Sequence, residues 1–162
     1  MVQKWNVLTF EIPGVIQPQE RPRFSRPGKN VVTHDAPKRK DFKDFVKLVA
    51  WQNKPSELIT GPIKLQADIY LMPPKKYHTC PKRALIASSE LRPTMKPDAD
   101  NLIKGIKDGM SKIIWHDNAQ IVELNVRKFY SEQPRAEVTI EWLEKYRIDT
   151  SYLLVRFVKS LN

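Results

Sequence analysis

Residues 96–130, KPDADNLIKGIKDGMSKIIWHDNAQIVELNVRKFY, join a helix signal to a strand signal and set acids and lysines around both. Leu102, Ile103, Ile106, Met110 and Ile113 follow three-four spacing, which predicts a helix over Asn101 to Ile113 with one buried stripe. Asp98 and Asp100 stand two apart in the turn opened by Pro97, at the head of that helix, where Asp100 is also able to cap it. Asp100, Lys104 and Asp108 then fall in line on another face, neighbours about 5 to 6 Å apart. After the helix, Ile114 and Trp115 lead to His116, Asp117 and Asn118, and an alternating strand begins. A further acid thus arrives from a second element.

Each acid has an ordinary role when taken alone: Asp100 as a helix cap, Asp108 as a surface partner of Lys104 or Lys112, Asp117 as a turn residue. Taken together they read as an active site. Converging carboxylates repel one another, and a hard divalent cation, magnesium or manganese, relieves the repulsion. Beside such a cation, Lys104 is suited to orient a water or to balance charge on a phosphate, as phosphodiester hydrolysis requires.

Working outward, Val122, Leu124 and Val126 alternate, Ser131 to Pro134 form a turn, and Ala136, Val138, Ile140 and Trp142 alternate again, so a hairpin is expected. Upstream, Ile63, Leu65, Ala67, Ile69 and Leu71 give the clearest strand, with Lys64, Gln66 and Asp68 on its other face. Trp5 to Ile12 predicts a strand stopped by Pro13-Gly14, with Leu8, Phe10 and Ile12 on one side. Lys38 to Gln52 predicts a helix that buries Phe42, Phe45, Val46 and Val49 and leaves Lys40, Lys43 and Lys47 on an outer face. Pro13 to Pro37 reads as a loop in which Arg21, Arg23 and Arg26 surround Phe24. Guanidinium forks there suit phosphate oxygens, and the ring suits a base or a branch point; a solvated loop with Phe24 in the core is the plainer alternative.

Met72 to Pro97 is long, proline-punctuated and basic, with Lys75, Lys76 and Lys96 among its cations and one helical turn expected near Ala84 to Ser88. It delivers the chain to Asp98 and is expected to border a nucleic acid. At the far end, Leu154, Phe157, Val158 and Leu161 predict an amphipathic helix within Glu144 to Asn162. The expected organisation is a domain over 1–143 and a helical extension over 144–162. Strands and helices in this order make a compact α+β fold: a mixed four-stranded sheet with helices mainly on one face.

A chain of 162 residues is long enough for one well-buried core. Its net charge of +10 points to a polyanionic partner, though charge alone does not identify an enzyme. Cys80 is the single cysteine, which excludes an intramolecular disulfide and a cysteine-based zinc site and fits a reducing cytoplasm. His34, His78 and His116 are too scattered for metal-ligand spacing. The first residues lack signal-peptide character and no run of about 18 apolar residues occurs, so a cytoplasmic protein with no membrane span is expected.

The run PDADNLIKGIKD followed by HDNAQIVELNVRK resembles the signature of the RusA family of Holliday junction resolvases, in which Asp-x-Asp-Asn and a lysine precede Asp-Asp-x-Gln and a strand. Asp98, Asp100, Asn101 and Lys104 match the first block, and Asp117 and Gln120 match parts of the second. Asn118 stands where the family often has the second acid. The resemblance implies a homodimeric, magnesium-dependent endodeoxyribonuclease that resolves four-way junctions by paired nicking and leaves a 5′-phosphate. It implies Asp98, Asp100 and Asp117 as metal ligands, Asn118 through its carbonyl oxygen being the alternative to Asp117, with Lys104 as the catalytic cation. Arg21, Arg23, Arg26, Lys40, Lys43, Lys47, Lys75, Lys76 and Lys96 are then the expected DNA contacts. Two other readings remain: a DNA-binding module that has lost its metal at Asn118, and a nuclease acting on RNA.

If the arginine loop displaces counterions from phosphates, Arg21→Ala with Arg23→Ala flattens the slope of log affinity against log salt by about one to two units. An unchanged slope in a salt titration removes the loop from the interface.

Overall fold

A computed structural model describes residues 5–19, 23–25, 32–34 and 37–143, with the backbone alone at 23–25, 32–34 and 37–39. In chain order the elements are β1 (Asn6–Pro13), β2 (Arg23–Ser25), β3 (Val32–His34), α1 (Pro37–Asn53), β4 (Ile63–Leu71), α2 (Cys80–Ala87), α3 (Ala99–Met110), β5 (Ile121–Tyr130) and β6 (Arg135–Trp142). A 4-stranded mixed sheet has the order β1-β6-β4-β5 and carries its helices mainly on one face, as expected. The helix expected over Glu144 to Asn162 lies outside the described residues.

Three rows of side chains run across the covered face. Leu8, Ile140, Leu65 and Leu124 form one; Phe10, Val138, Ala67 and Val126 the next; Ile12, Ala136, Ile69 and Lys128 the third. The third row is apolar until its last member, a lysine. On the opposite face the same alternation presents Glu11, Glu137, Asp68 and Arg127 in a row, and the Arg127 Nε donates to Asp68 Oδ1 at 2.6 Å. One face is therefore a core wall and the other a polar surface.

The expected hairpin does not form. β5 and β6 are separated by β4, which pairs in parallel with β5 and antiparallel with β6. Four residues link β5 to β6; at about 3.3 Å each they are long enough to cross the roughly 10 Å between next-but-one strands. They pass the point where β4 ends, and the Ser131 amide donates to the Leu71 carbonyl at 2.9 Å. The centre of the sheet goes to β4 because it is the most apolar strand, with Ile63, Leu65, Ala67 and Ile69 all essentially inaccessible to solvent. β5 takes an edge, which leaves Val122 and Leu124 61% and 46% exposed.

Four further expectations change. The segment read as a loop between Pro13 and Pro37 contains the antiparallel pair β2 and β3, with Phe24 opposite Thr33. The long basic segment contains α2 and a short 3-10 turn at Lys75–Tyr77, because Pro81 in the first turn of α2 is a favourable helix start that its proline content concealed. In α1, Phe42, Val46 and Val49 are buried, but Phe45 is 37% exposed and Ala50 takes the inward position. The helix at 99–110 starts two residues earlier and ends three earlier than its periodicity suggests; Lys112 adopts a left-handed φ of 68° just past its end.

α3 is seated against α1 at Gly109, where an added Cβ would lie 2.5 Å from Val46 Cγ1. Overpacking of this kind costs about 1 to 3 kcal/mol, more than the roughly 1 kcal/mol of helix propensity that alanine would add. Gly109→Ala is expected to lower the melting temperature by several degrees, and Val46→Ala in the same chain is expected to recover part of the loss in a double-mutant cycle.

Candidate active site at the head of α3

α3 buries Leu102, Ile103, Ile106 and Met110. That orientation leaves Asp98, Asp100 and Lys104 exposed, while Asp108, the third member of the line expected from the sequence, is half-buried. Asp98 is the N-cap in extended conformation, yet its side chain makes no capping hydrogen bond. Its carboxylate oxygens are thus not spent on the helix. Asp100 lies in the first turn, and Lys104 follows one turn later.

The approach to Asp98 is held from the sheet. Lys128, the lysine that ends the third row, donates through Nζ to the Pro97 carbonyl at 3.0 Å and to the Met95 carbonyl at 3.2 Å. A cation is thereby fixed against the backbone that leads into Asp98. Sequence reading missed Lys128, although the signal was present: it occupies the inward parity of a strand, after Leu124 and Val126, where a lysine needs acceptors. Nearby, the Gln19 amide donates to the Asn101 carbonyl at 2.8 Å and ties the segment after β1 to the first turn of α3.

Asp117 and Asn118 belong to the other end of α3. The helix has 12 residues, about 18 Å at 1.5 Å per residue, and the Lys112 ammonium beyond its last turn lies 3.9 Å from Asp117 Oδ2. Asp117 Oδ1 accepts from the Ala119 amide at 2.8 Å, capping a short 3-10 turn at Asn118–Gln120. Asn118 is engaged twice: its Oδ1 accepts from the indole of the fully buried Trp115 at 3.0 Å, and its Nδ2 donates to Asp108 Oδ1 at 3.2 Å. Asp108 therefore meets Asn118, not Lys104 or Lys112. Among the described residues, no three of His, Cys, Asp and Glu are grouped closely enough to hold a metal ion. Asp98 and Asp100 share the head of α3, one as its N-cap and one in its first turn, whereas Asp117 lies beyond the other end of the helix.

Gln120 is a structural clamp. Its Oε1 accepts from the His116 and Asp117 amides, both at 2.9 Å, and its Nε2 donates to the carbonyls of Ile59 and Gly61 at 2.8 and 3.1 Å. It thus joins the approach to β4 to the approach to β5 and sets the parallel register that begins with Ile63 opposite Ile121.

Of the expected DNA contacts, Lys40, Lys43 and Lys47 line a cavity of about 270 Å³ together with Gln17, Phe42 and Gly105, on the side of α3 that continues from Asn101. Lys47 is paired with Asp44 at 2.8 Å. Lys75 and Lys76 form the 3-10 turn before α2, and Lys96 is exposed next to Pro97. Arg23 opens β2, where only backbone is described; Arg21 and Arg26 lie outside the described residues. No helix among the described residues is long and apolar enough to cross a membrane.

The fold and the acid pair define a small α+β protein with a polar site at a helix head, and residues 13–141 match the family model described as Endodeoxyribonuclease RusA. The chain belongs to the RusA family. One relative is 42% identical over 134 residues, covering 82% of this chain and 94% of its own length: the protein of Bacillus subtilis (strain 168) described as "Uncharacterized protein YqaN".

Gln120→Ala removes four hydrogen bonds and strands buried carbonyls, so a loss of about 2 to 4 kcal/mol is expected in urea unfolding. Asn118→Ala, which orphans the buried Trp115 indole, is expected to cost about 1 to 3 kcal/mol. The exposed Asp117→Asn is expected to change stability by less than either.

Proposed function

We propose that the protein is a magnesium-dependent endodeoxyribonuclease that cuts branched DNA, with four-way junctions as the preferred substrate. The observation that carries this reading is the pair Asp98 and Asp100 at the head of α3, exposed and free of a capping bond at Asp98, with Lys128 on the carbonyl just before them. Family membership and the +10 charge support it.

The donor set fits magnesium. This ion is commonly held by one or two carboxylates and completes its shell with water and substrate phosphate oxygens, so a pair of acids suffices once DNA is bound. When bound, the ion would polarise the scissile phosphate and favour a hydroxide-like nucleophile. Asp98 and Asp100 would hold it; manganese, with the same oxygen preference, would serve as well. Asp117 is the proposed third carboxylate and Asn118 its alternative, but Asn118 already has its oxygen on Trp115, which favours Asp117.

Lys104, one turn from Asp100, would place its ammonium near the phosphate and offset the charge that builds on the equatorial oxygens. The water oxygen forms a bond to phosphorus, its proton passes to solvent, and the bond to O3′ breaks. O3′ takes up a proton from solvent and leaves as the 3′-hydroxyl, and the new oxygen stays on the 5′-phosphate. The helix N-terminus adds backbone amides that favour an anion at the same point. Lys40, Lys43, Lys47, Lys75, Lys76 and Lys96, with Arg21, Arg23 and Arg26, would hold the arms. A homodimer would match the two-fold symmetry of a junction and cut opposing strands as a pair.

A second reading, a DNA-binding module without catalysis, is favoured by the structural engagement of Asn118 and by the distance of Asp117 from Asp98. Incubating the protein with a synthetic four-way junction, with and without magnesium, separates the two. Asp98→Asn and Asp100→Asn are expected to reduce nicking by at least about a hundredfold while junction binding in gel shifts is retained. Cutting at the wild-type rate by either variant overturns the site, and stronger cutting of a matched RNA overturns the substrate.

A further inference from the structure

Where β4 and β5 both finish, Tyr70, Tyr77 and Tyr130 wall a cavity of about 390 Å³, with Pro73 and Ile86 completing its apolar lining. Tyr77 and Tyr130 meet edge to face with centroids 5.6 Å apart, and Tyr70 stacks on Phe129 at 5.1 Å. Cations surround the rings. The Lys76 and Lys82 ammoniums are each 5.2 Å from the Tyr77 centroid, and the Arg92 guanidinium is 3.7 Å from that of Phe129. Ser89, held at a left-handed φ of 59°, and Ser131 contribute to the wall.

Tyrosines that only filled the core would close on one another, yet here they leave room in a volume suited to a small flat ligand. Phe129 and Arg135 cover the two faces of the Tyr70 ring, so Tyr77 and Tyr130 are the rings left to meet a nucleobase, with Lys76 and Lys82 close enough to Tyr77 to reach its flanking phosphates. The position is also specific. Tyr130 follows Lys128 by two residues on the same face of β5, about 7 Å along the strand, and Lys128 holds the carbonyls directly before Asp98.

We propose that this cavity is a nucleobase subsite that receives one unstacked base of a DNA strand whose phosphate lies at Asp98 and Asp100. The position of the phosphate rests on the nuclease reading above; the capture of a base does not. Branched DNA offers such bases at its crossover, where stacking is already broken, so the cavity would favour a branch point over a continuous duplex.

The test uses fluorescence anisotropy with two labelled single-stranded DNA probes of equal length, one normal and one with abasic central nucleotides. Wild type is expected to bind the normal probe about five- to tenfold more tightly. Tyr77→Ala is expected to lose that factor on the normal probe and to lose nothing further on the abasic one, while Tyr77→Trp, which keeps a stacking face, retains the preference. Equal wild-type affinity for the two probes, including no binding to either, or an equal Tyr77→Ala loss on both, overturns the subsite. Junction nicking by wild type and Asp98→Asn is measured in parallel. Base preference without nicking sinks the nuclease reading alone, and Asp98-dependent nicking without base preference sinks the subsite alone.

Discussion

The seating of α3 against α1 and the sheet is the constraint on which the polar end of the molecule depends. Leu102, Ile106 and Met110 have no solvent exposure, and burying each such side chain contributes about 1.5 to 3 kcal/mol. Rotating the helix by one residue would exchange that burial for the exposure of an apolar stripe. Asp98, Asp100 and Lys104 consequently have a fixed aspect toward solvent, and Gly109 against Val46 allows the two helices to come close enough to hold it.

A second layer of control comes from side chains that complete backbone valences. Lys128 satisfies the carbonyls of Met95 and Pro97 and Gln120 satisfies those of Ile59 and Gly61, so both ends of β5 are fastened to the chain that precedes another element. These contacts connect stability with the site. Lys128 gives the turn before Asp98 a defined path. The polar row on the uncovered face, where Asp68 meets Arg127 and Glu137 meets Arg135, has a different consequence: it pairs the charges on that side of the sheet with one another.

Much of this was legible in the linear chain because its signals are periodic. The strand at 63–71, the first strand, the buried stripe of α3 and the placement of Asp98 and Asp100 at a helix head all follow from spacings of two or of three and four residues. The motif around PDADN carried the family as well. What could not be read was pairing. Alternation identifies a strand but not its neighbour, and a turn of ordinary length at 131–134 suggests a hairpin when only β4's greater apolarity, expressed in three dimensions, decides that it lies between β5 and β6. In the same way, the proline-punctuated run from Met72 to Pro97 promised one helical turn near Ala84 to Ser88, and the helix found there begins earlier, at Cys80 with Pro81 in its first turn.

By itself the sequence determined which residues alternate, which cluster as acids and lysines, and that the chain carries a strong positive charge, since these are properties of local order and composition. Tertiary structure alone decided the rest. It put Asp117 and Asn118 at the far end of α3 from Asp98, gave Asn118 to the Trp115 indole, turned Gln120 into a clamp and brought Tyr70, Tyr77 and Tyr130 around one cavity. The physical reason is that hydrogen-bond partners and cavity walls are set by which elements pack together, and packing depends on total burial across the sheet, which no single segment encodes.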